Sequence, residues 1–192
     1  MMGLKLNIGC GRNIIPGWHN LDAVALPGVD TVADLNACRD KALPFEPDSV
    51  DEFLASHVIE HISNVLDLME ELHRIAKLGA KLVVRVPYGS SDDAWEDPTH
   101  VRAYFLQSFG YYSQPFFWRA SYDYRGDWRV AQIELMVERA VLGAHPLERM
   151  NHRLMTERNV VREMVATLYA VKPIREAKRE LQDRPEINFV PV

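Results

Sequence analysis

The chain has 192 residues, 47% of them hydrophobic, which suits one globular domain with a sizeable core. A formal net charge of −5 offers no basic footprint for a phosphate backbone and argues against nucleic acid as the main partner. No leader segment is read at its start and no apolar run approaches the roughly 18 residues of a membrane span, so a cytoplasmic location is expected.

In chain order, Leu4, Leu6 and Ile8 alternate with Lys5 and Asn7 as a strand entering a core does, and Gly9 and Gly11 follow where that strand ends. A turn built on glycine lets a ligand approach the main chain closely, and in open α/β sheets the ligand crevice lies at the carboxyl ends of the strands. The extended stretch Trp18 to Leu21 closes on Asp22, a carboxylate suited to accept both hydroxyls of a ribose. A plain glycine turn followed by a surface aspartate is the alternative. Cys10 is read as a small residue between two glycines rather than a nucleophile. With Cys38 it makes neither a disulfide framework nor a CxxC metal pair, which fits a reducing compartment.

Thr31 to Asn36 reads as a short strand ending in polar residues, which makes Asp34 a second crevice candidate beside its ordinary role as a turn acid. Pro44 and Pro47 make Leu43 to Ser49 a loop. Val50 to Ser56 is the next strand. From Ile62 the apolar positions Ile62, Val65, Leu66, Met69, Leu72, Ile75 and Ala76 take helical spacing, with Ser63 or Asn64 as cap and Gly79 as stop. Lys81 to Pro87 is a further strand, and this succession predicts a mostly parallel sheet.

The following loop, Trp95 to Arg102, should overhang the crevice. Asp97 and His100 in it are candidate general bases, unless Asp97-Pro98 caps a helix and His100 is solvated in its first turn. His57 is a second candidate base or a structural residue, and Glu60 and His61 read as support for the helix start. His19, His73, His145 and His152 read as surface. Aromatic side chains crowd Tyr104 to Trp128, forming either a lid or wall of an acceptor site over residues 91–127, or a core cover or subunit contact. Trp128 to Leu142 alternates as one long strand, and a loop through Gly143 and Pro146 leads on. Val160, Val161, Met164, Val165, Leu168 and Tyr169 predict a helix over 157–171, Ile174 to Leu181 a closing strand, and the last ten residues a loose tail or subunit contact. His57-Val-Ile-Glu-His61 also matches the HxxEH pattern of inverted zinc peptidases, with Glu134 or Glu138 as a conceivable third ligand. The strand running straight into that motif counts against a shared helix face for its histidines.

Leu6-Asn-Ile-Gly-Cys-Gly11, Asp22, Ala33-Asp-Leu35, Leu54-Ala-Ser-His-Val-Ile-Glu-His61 and Leu78-Gly-Ala-Lys-Leu-Val-Val-Arg-Val-Pro87, in this order, resemble the class I S-adenosylmethionine-dependent methyltransferases over about residues 4 to 90. Ile14-Ile-Pro-Gly-Trp18 and Asp97-Pro-Thr-His100 resemble a compact bacterial branch with a methyltransferase domain of the type 11 kind. The resemblance implies an α/β fold in one domain: a Rossmann-like, seven-stranded, mostly parallel sheet with an antiparallel last strand. Residues 4–90 would form its cofactor half and 128–182 its late strands and helix.

It implies S-adenosyl-L-methionine as cofactor, with Asp22 on the ribose diol and Gly9, Cys10 and Gly11 along the methionine part. Asp34 and Leu35 would border the adenine, and Ser56 and His57 would face the cofactor's middle. The chain also departs from the family. Asn7 stands where an acid is usual, Asn13 replaces a third glycine, and Pro16-Gly17 leaves room only for a reduced first helix. The methionine end would then be held by a loop with Arg12, Asn13 and Trp18. The implied activity is methyl transfer, to a hydroxyl of a small molecule or sugar. N- or C-methylation of a metabolite and a cofactor-binding pseudoenzyme are the alternatives. In-line displacement on a sulfonium requires no metal, and a base only for an alcohol acceptor. A small-molecule acceptor and a homodimer complete the expected partners.

Overall fold

The computed structural model describes residues 3–143 and 147–192, so the expectations for His145 and Pro146 lie outside the described residues. Eight strands form one sheet: β1 (Leu4–Ile8), β2 (His19–Asp22), β3 (Thr31–Val32), β4 (Val50–Ser56), β5 (Ala76–Pro87), β6 (Trp128–Val137), β7 (Glu163–Ala170) and β8 (Glu186–Pro191). Their spatial order is β3-β2-β1-β4-β5-β7-β6-β8. The first five run parallel, β7 runs antiparallel to both β5 and β6, and β8 adds a parallel edge to β6. The sheet is thus the expected Rossmann-like one with an antiparallel late strand, extended by one strand at its edge.

Helix α1 (Val65–Ile75) crosses from β4 to β5 and buries Val65, Leu68, Met69, Leu72 and Ile75 along one face. Each such side chain withdrawn from water is worth about 1.5–3 kcal/mol. The helix ends one turn before Gly79, because Ala76 already pairs with Val50 and begins β5. His73 departs from its expected surface position: it is buried, donates from Nε2 to the Val171 carbonyl oxygen at 3.0 Å, and packs edge-on against Trp128.

Four expectations for the second half are corrected. The long strand stops at Val137, and Arg139–Gly143 is helix α3, preceded in chain order by the four-residue α2 (Asp93–Glu96) and followed by α4 (Leu147–Thr156). The predicted helix over 157–171 is strand β7. Met164, Ala166, Leu168 and Ala170 are buried on alternate positions, and ladders to β5 and β6 use both of its edges. Val165 and Tyr169 fit a pleated, doubly paired position as well as a helix face, so tertiary pairing overrides the helical stripe. Residues 174–181 carry only a single 3-10 turn, Arg179–Leu181, rather than a strand. The supposed tail is β8, whose Ile187 to Val190 pair with Ile133 to Met136.

The aromatic segment between β5 and β6 folds inward for much of its length. Tyr104, Phe109, Tyr112, Phe117, Tyr124 and Trp128 belong to the core, whereas Phe105, Tyr111 and Tyr122 are exposed. Among the described residues no helix is long and apolar enough to cross a membrane.

Candidate active site

Because β1, β2, β4 and β5 are parallel, their carboxyl ends share one edge of the sheet. Strand order reverses between β1 and β4, the position at which open α/β sheets hold ligands. Gly9 leaves β1 at φ 61°, and a Cβ there would stand 2.5 Å from Val58 Cγ2, so only glycine lets the turn pass beneath Val58. Gly11 also has positive φ, with open space where a Cβ would project. The Asp22 carboxylate fastens this turn: Oδ2 accepts from Gly11 N at 2.7 Å and Oδ1 from Val24 N at 2.9 Å. Each oxygen keeps a further lone-pair direction for a ligand hydroxyl.

A crevice of about 270 Å³ opens here, lined by Gly9, Asp22, Ala23, Asp34, Leu35 and Asn36 on one side and His57, Val58, His61 and Ile62 on the other. Asp34 caps the 3-10 turn Leu35–Ala37 by accepting from Asn36 N, so its carboxylate is held at the rim. A larger cleft of about 570 Å³ lies beside α1, lined by residues that include Asp67, Glu70, Tyr122 and Arg125. It lies away from the strand ends, and the smaller crevice is the one the topology favours.

The crevice brings together Gly9, Asp22, Asp34, Leu35 and His57 from the expected cofactor residues, with Gly11 bonded to Asp22. Others are engaged elsewhere. Asn7 is buried and donates from Nδ2 to the Asn13 carbonyl oxygen and to Asn20 Oδ1. Asn20 in turn accepts from Ile15 N and donates to the Trp18 carbonyl oxygen. Two buried asparagines therefore hold the ten residues between β1 and β2 as a loop where a helix would otherwise be expected, which accounts for Asn7 standing in place of an acid. Arg12 and Asn13 are exposed, and the Trp18 ring lies under Lys5 Nζ, 5.3 Å from the ring centroid. The Cys10 thiol is buried, and burial with the nearby Asp22 charge pushes its pKa up, which leaves it inert. None of Asn7, Cys10, Arg12, Asn13, Trp18 and Ser56 lines the crevice.

On the other side of the crevice, His57 follows β4 at φ 55°, and Glu60 and His61 lie on the 3-10 turn Ile59–His61. His57 and His61 therefore share no helix face, and the HxxEH peptidase arrangement does not form. His57 directs Nδ1 at Glu60 Oε1 (3.4 Å) and Nε2 at Glu163 Oε1 (2.8 Å), and Glu163 also accepts from Arg85 Nε. Glu60 first, and Glu163 after it, raise the His57 pKa against the burial that opposes them. A histidine held between two carboxylates is a poor proton acceptor.

The loop after β5 folds back onto the same turn, with Val101 N donating to the Glu60 carbonyl oxygen at 2.9 Å. Asp97 Oδ1 accepts from Thr99 N and Oγ1, which with His100 nearby lowers the carboxyl's pKa. The His100 side chain is only 9% exposed and lies edge-on to His61, ring centroids 4.7 Å apart. His100 is thus neither solvated nor in a helix. Sequence reasoning gave His61 and Glu60 a site role only in the HxxEH alternative and missed Ala23, Asn36, Val58 and Ile62. The two histidines lie far apart in the chain, and nothing local signals their meeting.

Residues 6–84 match the model of a family described as a methyltransferase domain. No curated protein matches the chain. Among solved structures, a S-adenosylmethionine-dependent methyltransferase from Archaeoglobus fulgidus is 14% identical with a TM-score of 0.57, over 88% of this chain and 86% of that one. A protein from Thermotoga maritima described as a possible histamine N-methyltransferase is 16% identical with a TM-score of 0.55, over 90% and 84%. The cyclase SpnF shares the fold at 14% identity and a TM-score of 0.54, over 88% and 75%. The glycine turn fastened by Asp22 at the switch point, the sheet order with its antiparallel β7 and the methyltransferase-domain model matched by residues 6–84 make this chain similar to the class I S-adenosylmethionine-dependent methyltransferases, a similarity that implies S-adenosylmethionine as cofactor.

Proposed function

We propose that the protein methylates a hydroxyl of a small molecule or sugar. The observation that carries this reading is the pairing of His61 and His100 beside the crevice, since an alcohol needs a proton acceptor and a more nucleophilic acceptor does not. Asp22 would hold the ribose hydroxyls, the Gly9 to Gly11 main chain the methionine portion, and Asp34 and Leu35 the adenine edge. The open space over Gly11 and the partly engaged Asp22 carboxylate suit such a ligand. When bound, S-adenosylmethionine supplies a methyl group already activated by its sulfonium. The acceptor oxygen forms a bond to that carbon as the carbon–sulfur bond breaks, and the acceptor's proton passes to the protein.

His100 is the proton acceptor in this reading. Its Nδ1 donates to the Ala94 carbonyl oxygen at 3.2 Å, which fixes the tautomer with Nε2 as the free lone pair. Asp97, whose Oδ2 lies 3.9 Å from His100 Nε2, would steady the imidazolium once it forms. His57, already paired with two carboxylates, is assigned an orienting role.

The similarity to the Thermotoga maritima protein, described as a possible histamine N-methyltransferase, favours N-methylation as a second reading. A pH-rate profile of the wild type and His100→Ala separates the two. Loss of a general base should lower the rate by about 10²- to 10⁴-fold and remove the fall in rate on the acid side of the profile. An unchanged profile would leave the hydroxyl reading without support.

A further inference from the structure

The Glu60 carboxylate is 1% exposed, and among the described residues neither of its oxygens receives a hydrogen bond. Its closest cation is His57 Nδ1 at 3.4 Å from Oε1, an ion-pair distance without hydrogen-bond geometry. With His57 as an ion-pair partner on one side and no hydrogen bond on either oxygen, this buried carboxylate is left with acceptor capacity for a further cation. Beside it stand His61 and His100. One nitrogen from each ring and one Glu60 oxygen all lie within 4.8 Å of one another.

The hydrogen bonds behind the two rings fix which nitrogens are free. The Thr99 hydroxyl donates to Asp97 Oδ1 at 2.6 Å, so at 2.9 Å from His61 Nδ1 it can only accept, and His61 carries its proton on Nδ1. His100 likewise donates from Nδ1, to the Ala94 carbonyl oxygen. Both rings therefore turn a bare Nε2 lone pair away from these anchors. Imidazoles that bind metals are held in this way, with the other ring N–H donated to a carbonyl or other oxygen.

We propose that Glu60, His61 and His100 form a binding site for a divalent transition-metal ion, with one carboxylate oxygen and two imidazole Nε2 atoms as ligands. Two imidazoles with one carboxylate suit zinc, cobalt, nickel or ferrous iron, whereas magnesium and calcium favour all-oxygen sites. Three atoms within 4.8 Å of one another share a point at most about 2.8 Å from each.

Three protein ligands leave a coordination position open. Since His61 also lines the cofactor crevice, that position lies next to the methyl donor's site. The use of the ion rests on the hydroxyl reading given above. An acceptor oxygen taken up by the ion is lowered in pKa and oriented together, its proton leaving to solvent. His100 then serves as a ligand in place of a proton acceptor.

The test uses the full chain, stripped with a chelator and titrated with Co²⁺ while visible absorption is followed, then with Zn²⁺ and Mg²⁺ as competitors. One equivalent of Co²⁺ should bind with a d–d spectrum, displaced by Zn²⁺ but not by Mg²⁺. His61→Ala and His100→Ala should each weaken binding at least about 10-fold. Absence of stoichiometric Co²⁺ binding by the wild type, or an unchanged spectrum in both folded histidine variants, would overturn the proposal. S-adenosylmethionine binding measured on the same metal-free samples keeps the two readings apart. Binding without metal leaves the methyltransferase reading standing, and a pH-rate effect of His100→Ala in metal-free enzyme returns His100 to the role of base.

Discussion

At Asp22 one carboxylate performs two tasks: it fastens the glycine turn from Gly11 N to Val24 N and faces the crevice. Removing a charge-assisted hydrogen bond usually costs about 1.5–3 kcal/mol. Asp22→Ala should therefore weaken S-adenosylmethionine binding by about 10- to 150-fold in calorimetric titration, and unchanged affinity would remove Asp22 from the site. His73 makes a different prediction. Burial depresses its pKa below the ordinary 6.5, while its bond to the Val171 carbonyl oxygen opposes the shift only in part. Between the lowered folded value and 6.5 the unfolded chain binds more protons than the folded one, so stability is full above pH 6.5 and falls as pH drops through the folded pKa. Urea unfolding of His73→Gln across about pH 5 to 8 should show this acid limb flattened, and a limb identical to wild type would assign it elsewhere.

Among the elements, β7 is the one whose identity changes most between sequence and structure. It sits between β5 and β6 with Leu168 fully buried and Thr167 half-buried on the opposite face. Leu168→Ala should cost about 2–5 kcal/mol in unfolding free energy, and Thr167→Ala less than about 1 kcal/mol. Comparable losses at both positions would contradict a period of two. α1 shows the opposite behaviour: its apolar stripe is matched by its buried face, because a helix crossing over a parallel sheet has one face to bury and one to leave in water.

On the scale of the molecule, Arg175 ties the late segments together. It reaches Asp127 at the start of β6, Asp183 ahead of β8 and Ser113 in the aromatic segment. Asp127 is wholly buried, so truncating its partner would leave a charge without compensation. Arg175→Ala should cost about 3–5 kcal/mol by denaturant unfolding, and the double change with Asp127→Asn should recover part of the loss. A loss below about 1 kcal/mol would mean that the network is not holding the late segments in place.

Much of the first half was legible in the chain itself. Gly9, Gly11 and Asp22 lie close together in sequence, and their roles follow from local needs: positive φ, close main-chain approach and a strand-end carboxylate. The strands β1, β2 and β4 and the body of α1 carry their periodicity in short range, and local patterning is enough to specify them. The packing of distant segments decided the rest. Strand β7, whose Met164, Val165, Leu168 and Tyr169 also fit a helical stripe, takes its state from two neighbouring strands, and Ile187 to Val190 become strand only against β6. Arg12, Asn13 and Trp18 leave the crevice because Asn7 and Asn20, one on each of two neighbouring strands, rebuild the loop that carries them. His61 meets His100 over Glu60 only when the loop after β5 folds back on the end of β4, a juxtaposition that costs chain entropy and is set by the whole sheet rather than by any stretch of sequence.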